Sequence, residues 1–298
     1  MDTTLAVAFL PWFAPQQWKA AVQTADRAGL EEIWLWEDCF AEAGISMAVA
    51  VAGLAWTDRI RVGVGLFPAP LRNVALLGME LAGLAGMFPD RFLGGVGHGV
   101  QDWMGQAGAR VASPVTLLRE YLTALRQLLD GEEVSVAGRY VRLDRVRLAW
   151  PPGPGFPVLA GASGPRSLAV CGELGAGTLL SGGVDPAGVR RSVELVTAAR
   201  QRAGVGGEHA IVASVLVAVG PDAEQRLERE SQDWGFAPGS DLTVTGDAAE
   251  VAAGLRRWVA AGATTVVVQP TRDEPDLPGL IEFVAHQVRP LLGAGPVR

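Results

Sequence analysis

Eight times along this 298-residue chain, a short β-branched apolar run gives way to a stretch of helical periodicity. The runs read as strands over 4–10, 32–36, 60–67, 91–96, 158–161, 177–181, 210–219 and 264–269. Between them, spacing and caps predict helices over 15–29, 46–55, 74–87, 165–174, 186–203, 222–233, 248–261 and 277–292. A further helix shows its buried face at Leu117, Tyr121, Leu125 and Leu128 and stops at Gly131. The strands are apolar at nearly every position, the pattern of a parallel sheet covered on both faces. Eight such units in under 300 residues predict an α/β fold, a (β/α)8 TIM barrel, over an open doubly wound sheet. An open dinucleotide-binding sheet would need Gly-x-Gly-x-x-Gly after a strand, and Gly97-His98-Gly99 fails because Asp102 takes the last place. Two stretches break the rhythm. Residues 134–143 alternate and turn at Ala137-Gly138 like a hairpin, and two helices follow strand seven; both read as insertions, after strands four and seven, in one domain spanning 1–298.

In such a barrel the site lies at the C-terminal strand ends, so those ends are read together. They are Leu10-Pro11-Trp12, Glu37-Asp38-Cys39, Gly65-Leu66-Phe67-Pro68, Gly97-His98-Gly99, Gly161-Ala162-Ser163-Gly164, Ser181-Gly182-Gly183 and Gln269-Pro270. Carboxylates cluster clearly at one exit only, whereas a glycosidase needs two facing ones. Aromatic residues and glycines dominate, which suits a flat ligand. Glycines at 94, 95, 97 and 99 are costly unless backbone or ligand must come close or φ must be positive. His98 sits between two of them, with Trp103 just beyond. Two readings stand side by side: an exposed histidine in a strand-to-helix turn, or a titratable group brought to a ligand. Ser163 or Gly164 can cap a helix whose first residue is Pro165, leaving N–H groups aimed at an anion, with Arg166 adding charge. That makes 161–167 a phosphate-type loop beside Ser181-Gly182.

Composition removes several classes. Net charge is −7, which does not support nucleic-acid binding. No apolar run reaches membrane-spanning length and no signal peptide opens the chain, so a cytoplasmic location is expected. Cys39 and Cys171 lack disulfide or metal spacing, which fits a reducing compartment. His98, His209 and His286 are far apart and no zinc-type pair is present, so no metal is expected. Of 25 basic residues only Lys19 is a lysine, in a surface helix, which argues against Schiff-base and pyridoxal chemistry.

In order along the chain, GLEEIWLWEDCF, RIRVGVGLFPAPLRN, FPDRFLGGVGHG, PVLAGASGPRSLAVCGELGAG and VTGDAAEVAAGLRRWVAAGATTVVV resemble the bacterial luciferase-like oxidoreductases. The branch that uses the deazaflavin coenzyme F420 is the most similar, and the resemblance covers nearly the whole chain. It implies a luciferase-like barrel holding F420, or alternatively FMN, in its mouth. The phosphate would be gripped by Gly161, Ala162, Ser163, Gly164 and Arg166 with Ser181 and Gly182. A non-prolyl cis peptide, here Gly65–Leu66, would back the ring, with Gly97, His98 and Asp38 beside it. The related sugar-phosphate dehydrogenases end strand two in Asp-His, where this chain has Asp38-Cys39, and carry an acid where this chain has Val100. His98 and Asp38 are then the candidate catalytic groups, since imidazole exchanges protons near neutral pH. The implied activity is hydride transfer between F420 and a small organic substrate. A monooxygenase using reduced FMN and O2 and a non-catalytic flavin-binding barrel are the alternatives. The family also implies a homodimer and a separate reductase supplying reduced cofactor. The loops 100–114 and 233–246 carry no recognisable substrate code.

Overall fold

A computed structural model describes residues 3–40, 47–237 and 239–293. Eight parallel strands form the barrel: β1 (Thr4–Phe9), β2 (Glu32–Leu35), β3 (Arg61–Pro68), β4 (Phe92–Gly97), β5 (Val158–Ala162), β6 (Gly177–Leu180), β7 (Ala210–Val217) and β8 (Thr265–Gln269). Neighbours in sequence pair in turn, and β8 pairs with both β7 and β1, so the ring closes at Thr4 against Thr265. The near-continuous apolar runs are thereby explained: alternate residues face the lumen and the helices, and both faces are largely withheld from water.

The outer ring consists of α1 (Trp18–Arg27), α2 (Met47–Ala55), α3 (Val74–Met87), α4 (Pro114–Leu129), α5 (Pro165–Leu174), α6 (Pro186–Ala203), α7 (Ala248–Ala260) and α8 (Leu277–Phe283). Their ends follow local chemistry. Asn73 and Asp185 accept backbone N–H groups at their helix starts, and Asp247 with Glu250 forms a capping box. Ser46, at the expected start of the second helix, lies outside the described residues.

Four details differ from the sequence expectation. The hairpin turns over 138–141, its strands being Val134–Ala137 and Arg142–Val146. The turn is moved along because the Glu120 carboxylate accepts the N–H groups of Arg139, Tyr140 and Val141. Within the supposed loop 100–114 lies a short helix, Gln101–Gln106, and within 233–246 a two-residue strand, Thr243–Val244, pairs with β7. The last helix is interrupted by a π-turn at Val284–Val288 before resuming at Arg289–Gly293.

The glycines of the central strands have a packing role that the sequence alone did not reveal. A Cβ on Gly63 would stand 2.5 Å from the Trp34 ring, and one on Gly95 would stand 2.0 Å from Leu179 Cδ1. On Gly97 and Gly161 it would stand 2.6 and 2.2 Å from Leu66 Cδ2. Side chains from β2, β3 and β6 therefore pack one side of the lumen against bare backbone of β3, β4 and β5. Gly97 and Gly161, expected to admit a ligand, make room for Leu66, and Gly161 also borders the cavity at the barrel mouth.

Candidate active site at the barrel mouth

A cavity of about 540 Å³ opens at the C-terminal strand ends, within the range of ordinary ligand sites. It has two tiers. The rim carries polar groups from the β2, β4, β5 and β8 exits, among them Asp38, His98, Ser163 and Arg272, with Trp12, Trp36, Trp103 and Trp234 as aromatic walls. Below it a bore enters the lumen between Trp34, Leu66, Leu179, Val212, Ser214 and Val267. At its side the Gly65–Leu66 peptide is cis, and the β3–β4 ladder breaks between Val64 and Phe67 around it.

The β2 exit is held rigidly. Glu37, its side chain 8% exposed, is ion-paired with Arg72, which also lies 4.8 Å over the Phe67 ring. This ties the end of β2 to the end of β3 and presents Asp38 and Cys39 to the cavity. Cys39 takes a left-handed conformation at φ 54°. Burial, and then the neighbouring Glu37 and Asp38 charges, push its thiol up to about 11, so it stays protonated at physiological pH and cannot serve as a base there.

His98 is half-buried. Its Nδ1 lies 3.1 Å from the Gly99 carbonyl, and Gln101 Nε2 donates to the His98 carbonyl at 3.0 Å. A carbonyl only accepts, so Nδ1 bears the proton and Nε2 is the nitrogen able to take one up. The Gly99 carbonyl thus sets the ring's tautomer, and Gln101, first residue of the short helix that the sequence did not signal, holds the backbone behind it.

Opposite, Arg272 stacks 4.7 Å over Trp12, whose buried Nε1 has no hydrogen-bond partner among the described residues. Such an orphaned donor in a cavity wall fits a ligand carrying carbonyl or hydroxyl oxygens. Glu230, 3% exposed, links two walls: one carboxylate oxygen accepts Trp234 Nε1 and the other the Arg272 backbone N–H, both at 2.9 Å.

At the phosphate-type loop, α5 starts after Gly164 with no side-chain cap, and a Cβ on Gly164 would meet nothing within 4 Å. The first-turn N–H groups there are free of competing side chains and suit an anion. Of the expected site residues, Asp38, Gly65, Leu66, His98, Gly161, Ala162, Ser163, Ser181 and Gly182 line the cavity. Gly97, Gly164 and Arg166 do not; Arg166 is exposed outside it. Gly182 and Gly183 lie under the rings of Trp234 and Phe236, which narrows access at that exit. Ser214, Asp233, Trp234 and Arg272 line it as well and were not signalled as site residues. Ser214 had a signal, being the single hydroxyl in AIVASVLV at a lumen-facing position. Asp233 and Trp234 end the helix Ala223–Asp233 and Arg272 follows β8, and their approach to the mouth is set by long-range packing.

Residues 4–238 match the profile of a family described as luciferase-like monooxygenase. A 5,10-methylenetetrahydromethanopterin reductase from Methanolobus tindarius is 24% identical over 67% of this chain; the match spans 60% of that protein. An F420-dependent glucose-6-phosphate dehydrogenase from Tsukamurella paurometabola is 25% identical over 92% of this chain and 88% of its own. Among solved structures, an F420-dependent secondary alcohol dehydrogenase in complex with an F420–acetone adduct superposes with a TM-score of 0.85. That likeness covers 98% of this chain and 99% of the other at 17% identity, a similarity of fold.

Proposed function

The chain belongs to the luciferase-like monooxygenase family, and within it we propose an F420-dependent oxidoreductase acting on a small organic substrate. The observation that carries this reading is the two-tier cavity: an apolar bore for a flat ring, and above it a polar rim with an uncapped helix start at one side. The F420-dependent relative matched over 92% of the chain supports the choice of cofactor. When bound, F420 supplies the carbon that gives or takes a hydride. The protein contributes the rest. Trp12, Trp36 and Trp103 wall the site and exclude water; the first turn of α5 with Ser163 holds the phosphate. His98 Nε2 moves the proton that accompanies hydride transfer, and Asp38 is the second group able to do so. Cys39, held protonated, leaves the β2 exit without the base that an imidazole there would provide.

Titrating the apoprotein with F420 and with FMN, followed by fluorescence, tests the reading. F420 is expected to bind more tightly; tight FMN binding without measurable F420 affinity would overturn it in favour of an FMN-dependent monooxygenase. The protein works as a homodimer in this reading, since α3 exposes Leu76, Met79 and Met87. Light scattering in solution is expected to give twice the chain mass, and a monomer at micromolar concentration would refute it. Reduced cofactor would come from a separate reductase.

A further inference from the structure

The bore below the rim is apolar but for one side chain. Ser214 lies mid-strand on β7, in register with Val267 of β8, and its neighbour toward the barrel floor on the same face is Val212, which pairs with Leu179 of β6. All four line the cavity, and Trp34 and Leu66 complete the wall. The Trp34 indole N–H is already spent on Glu32, 2.9 Å away. The Ser214 hydroxyl has no hydrogen-bond partner among the described residues, and the residue is half-buried, its access being the bore. A hydroxyl so placed offers one donor and two acceptor lone pairs to whatever enters.

A tricyclic flavin-type ring has two ends with different demands. Its pyrimidine end carries two carbonyls and an N–H, and burying them opposite a single hydroxyl would leave polar groups unpaired and disfavour that orientation. Its benzenoid end is hydrocarbon, bearing one hydroxyl in F420 and two methyl groups in FMN. The bore matches the benzenoid end, and its single hydroxyl matches F420. The orphaned Trp12 Nε1 and the polar rim are then left for the pyrimidine end and the phosphate.

We infer that Ser214 selects the cofactor by hydrogen-bonding the benzenoid hydroxyl of the deazaflavin ring within the bore. This inference rests on the F420 reading and adds to it the residue that discriminates against FMN. A site built to pair a hydroxyl penalises an analogue that lacks one, because the protein group is left unpaired.

The test uses the full chain as wild type, Ser214→Ala and Ser214→Thr, each titrated with F420 and FMN. The ionisation of the bound F420 hydroxyl is read from its visible absorbance against pH. Ser214→Ala is expected to lose about tenfold in F420 affinity, the scale of one hydrogen bond, while FMN affinity stays the same or improves. Loss of the serine donor to the ionised oxygen should also move the bound hydroxyl's ionisation to higher pH. Ser214→Thr, which keeps the hydroxyl, should restore both. If Ser214→Ala binds F420 as tightly as wild type with an unchanged absorbance titration, the inference is overturned and the F420 reading stands. If wild type binds FMN and not F420, both fall together.

Discussion

His98 gains a defined chemical state from its surroundings. The Gly99 carbonyl claims Nδ1–H, and Gln101 holds the backbone behind the ring, so Nε2 is the nitrogen left to take up a proton. His98→Ala is expected to lower turnover by about 10²–10⁴-fold, the usual contribution of a general acid or base, with cofactor affinity nearly unchanged. His98→Asn separates hydrogen bonding from proton transfer: positioning alone would be largely retained, proton exchange lost. Wild-type turnover in both variants across pH 5 to 9 would move the proton to Asp38 or water. Cys39 cannot take over as base, because burial and two adjacent carboxylates hold its proton on.

Among the elements, the helix Ala223–Asp233 and the loop after β8 act as one unit. Arg226 donates to Glu274 at 2.7 Å, to Thr271 Oγ1 at 3.1 Å and to the Val219 carbonyl at 2.6 Å, and the two charged side chains are 7% and 4% exposed. Arg226→Ala would strand a buried carboxylate, which typically costs about 3–5 kcal/mol. Urea denaturation should show that loss as a lower midpoint, and a change below about 1 kcal/mol would mean that Glu274 escapes to water. Local signals made the outer ring legible. Asn73 begins α3 and Pro186 opens α6, while Gly204 at φ 67° closes α6, each where the sequence places it. The short helix after β4 was not legible, because glycines on both sides of Gln101–Gln106 argue for a turn and only packing of Met104 into the interior settles it. In the site, the exits of β2 to β6 could be aligned from chain order. The meeting of Trp12 with Arg272, 260 residues apart, could not, since it depends on ring closure between β1 and β8.

On the scale of the whole molecule, the two ends of the barrel carry different burdens. At the end away from the mouth, His209 sits between Arg200 Nη1, 3.0 Å from its Nδ1, and Thr178 Oγ1, 2.8 Å from its Nε2. A guanidinium only donates, so the folded state requires neutral His209; burial first, and the Arg200 charge second, lower its pKa to about 4. The folded value lies below the ordinary value of about 6.5, so this contribution is complete above pH 6.5 and is lost as pH falls from there towards 4. Allowing for solvent screening, the loss is on the order of 1–3 kcal/mol. Thermal melts from pH 7 to 4 should show it, and His209→Gln, which can keep both hydrogen bonds without titrating, should flatten that slope. An equal slope in the variant would assign the acid sensitivity elsewhere. No helix among the described residues is long and apolar enough to cross a membrane. At the other end, the leucines seated on bare backbone set how far a guest can descend. A chain of this design can deepen or shallow its socket by trading bulk between facing strands, while the groups proposed to handle protons stay where they are. Appetite for a guest and choice of chemistry are thus inherited on separate residues, and one can drift while the other stands.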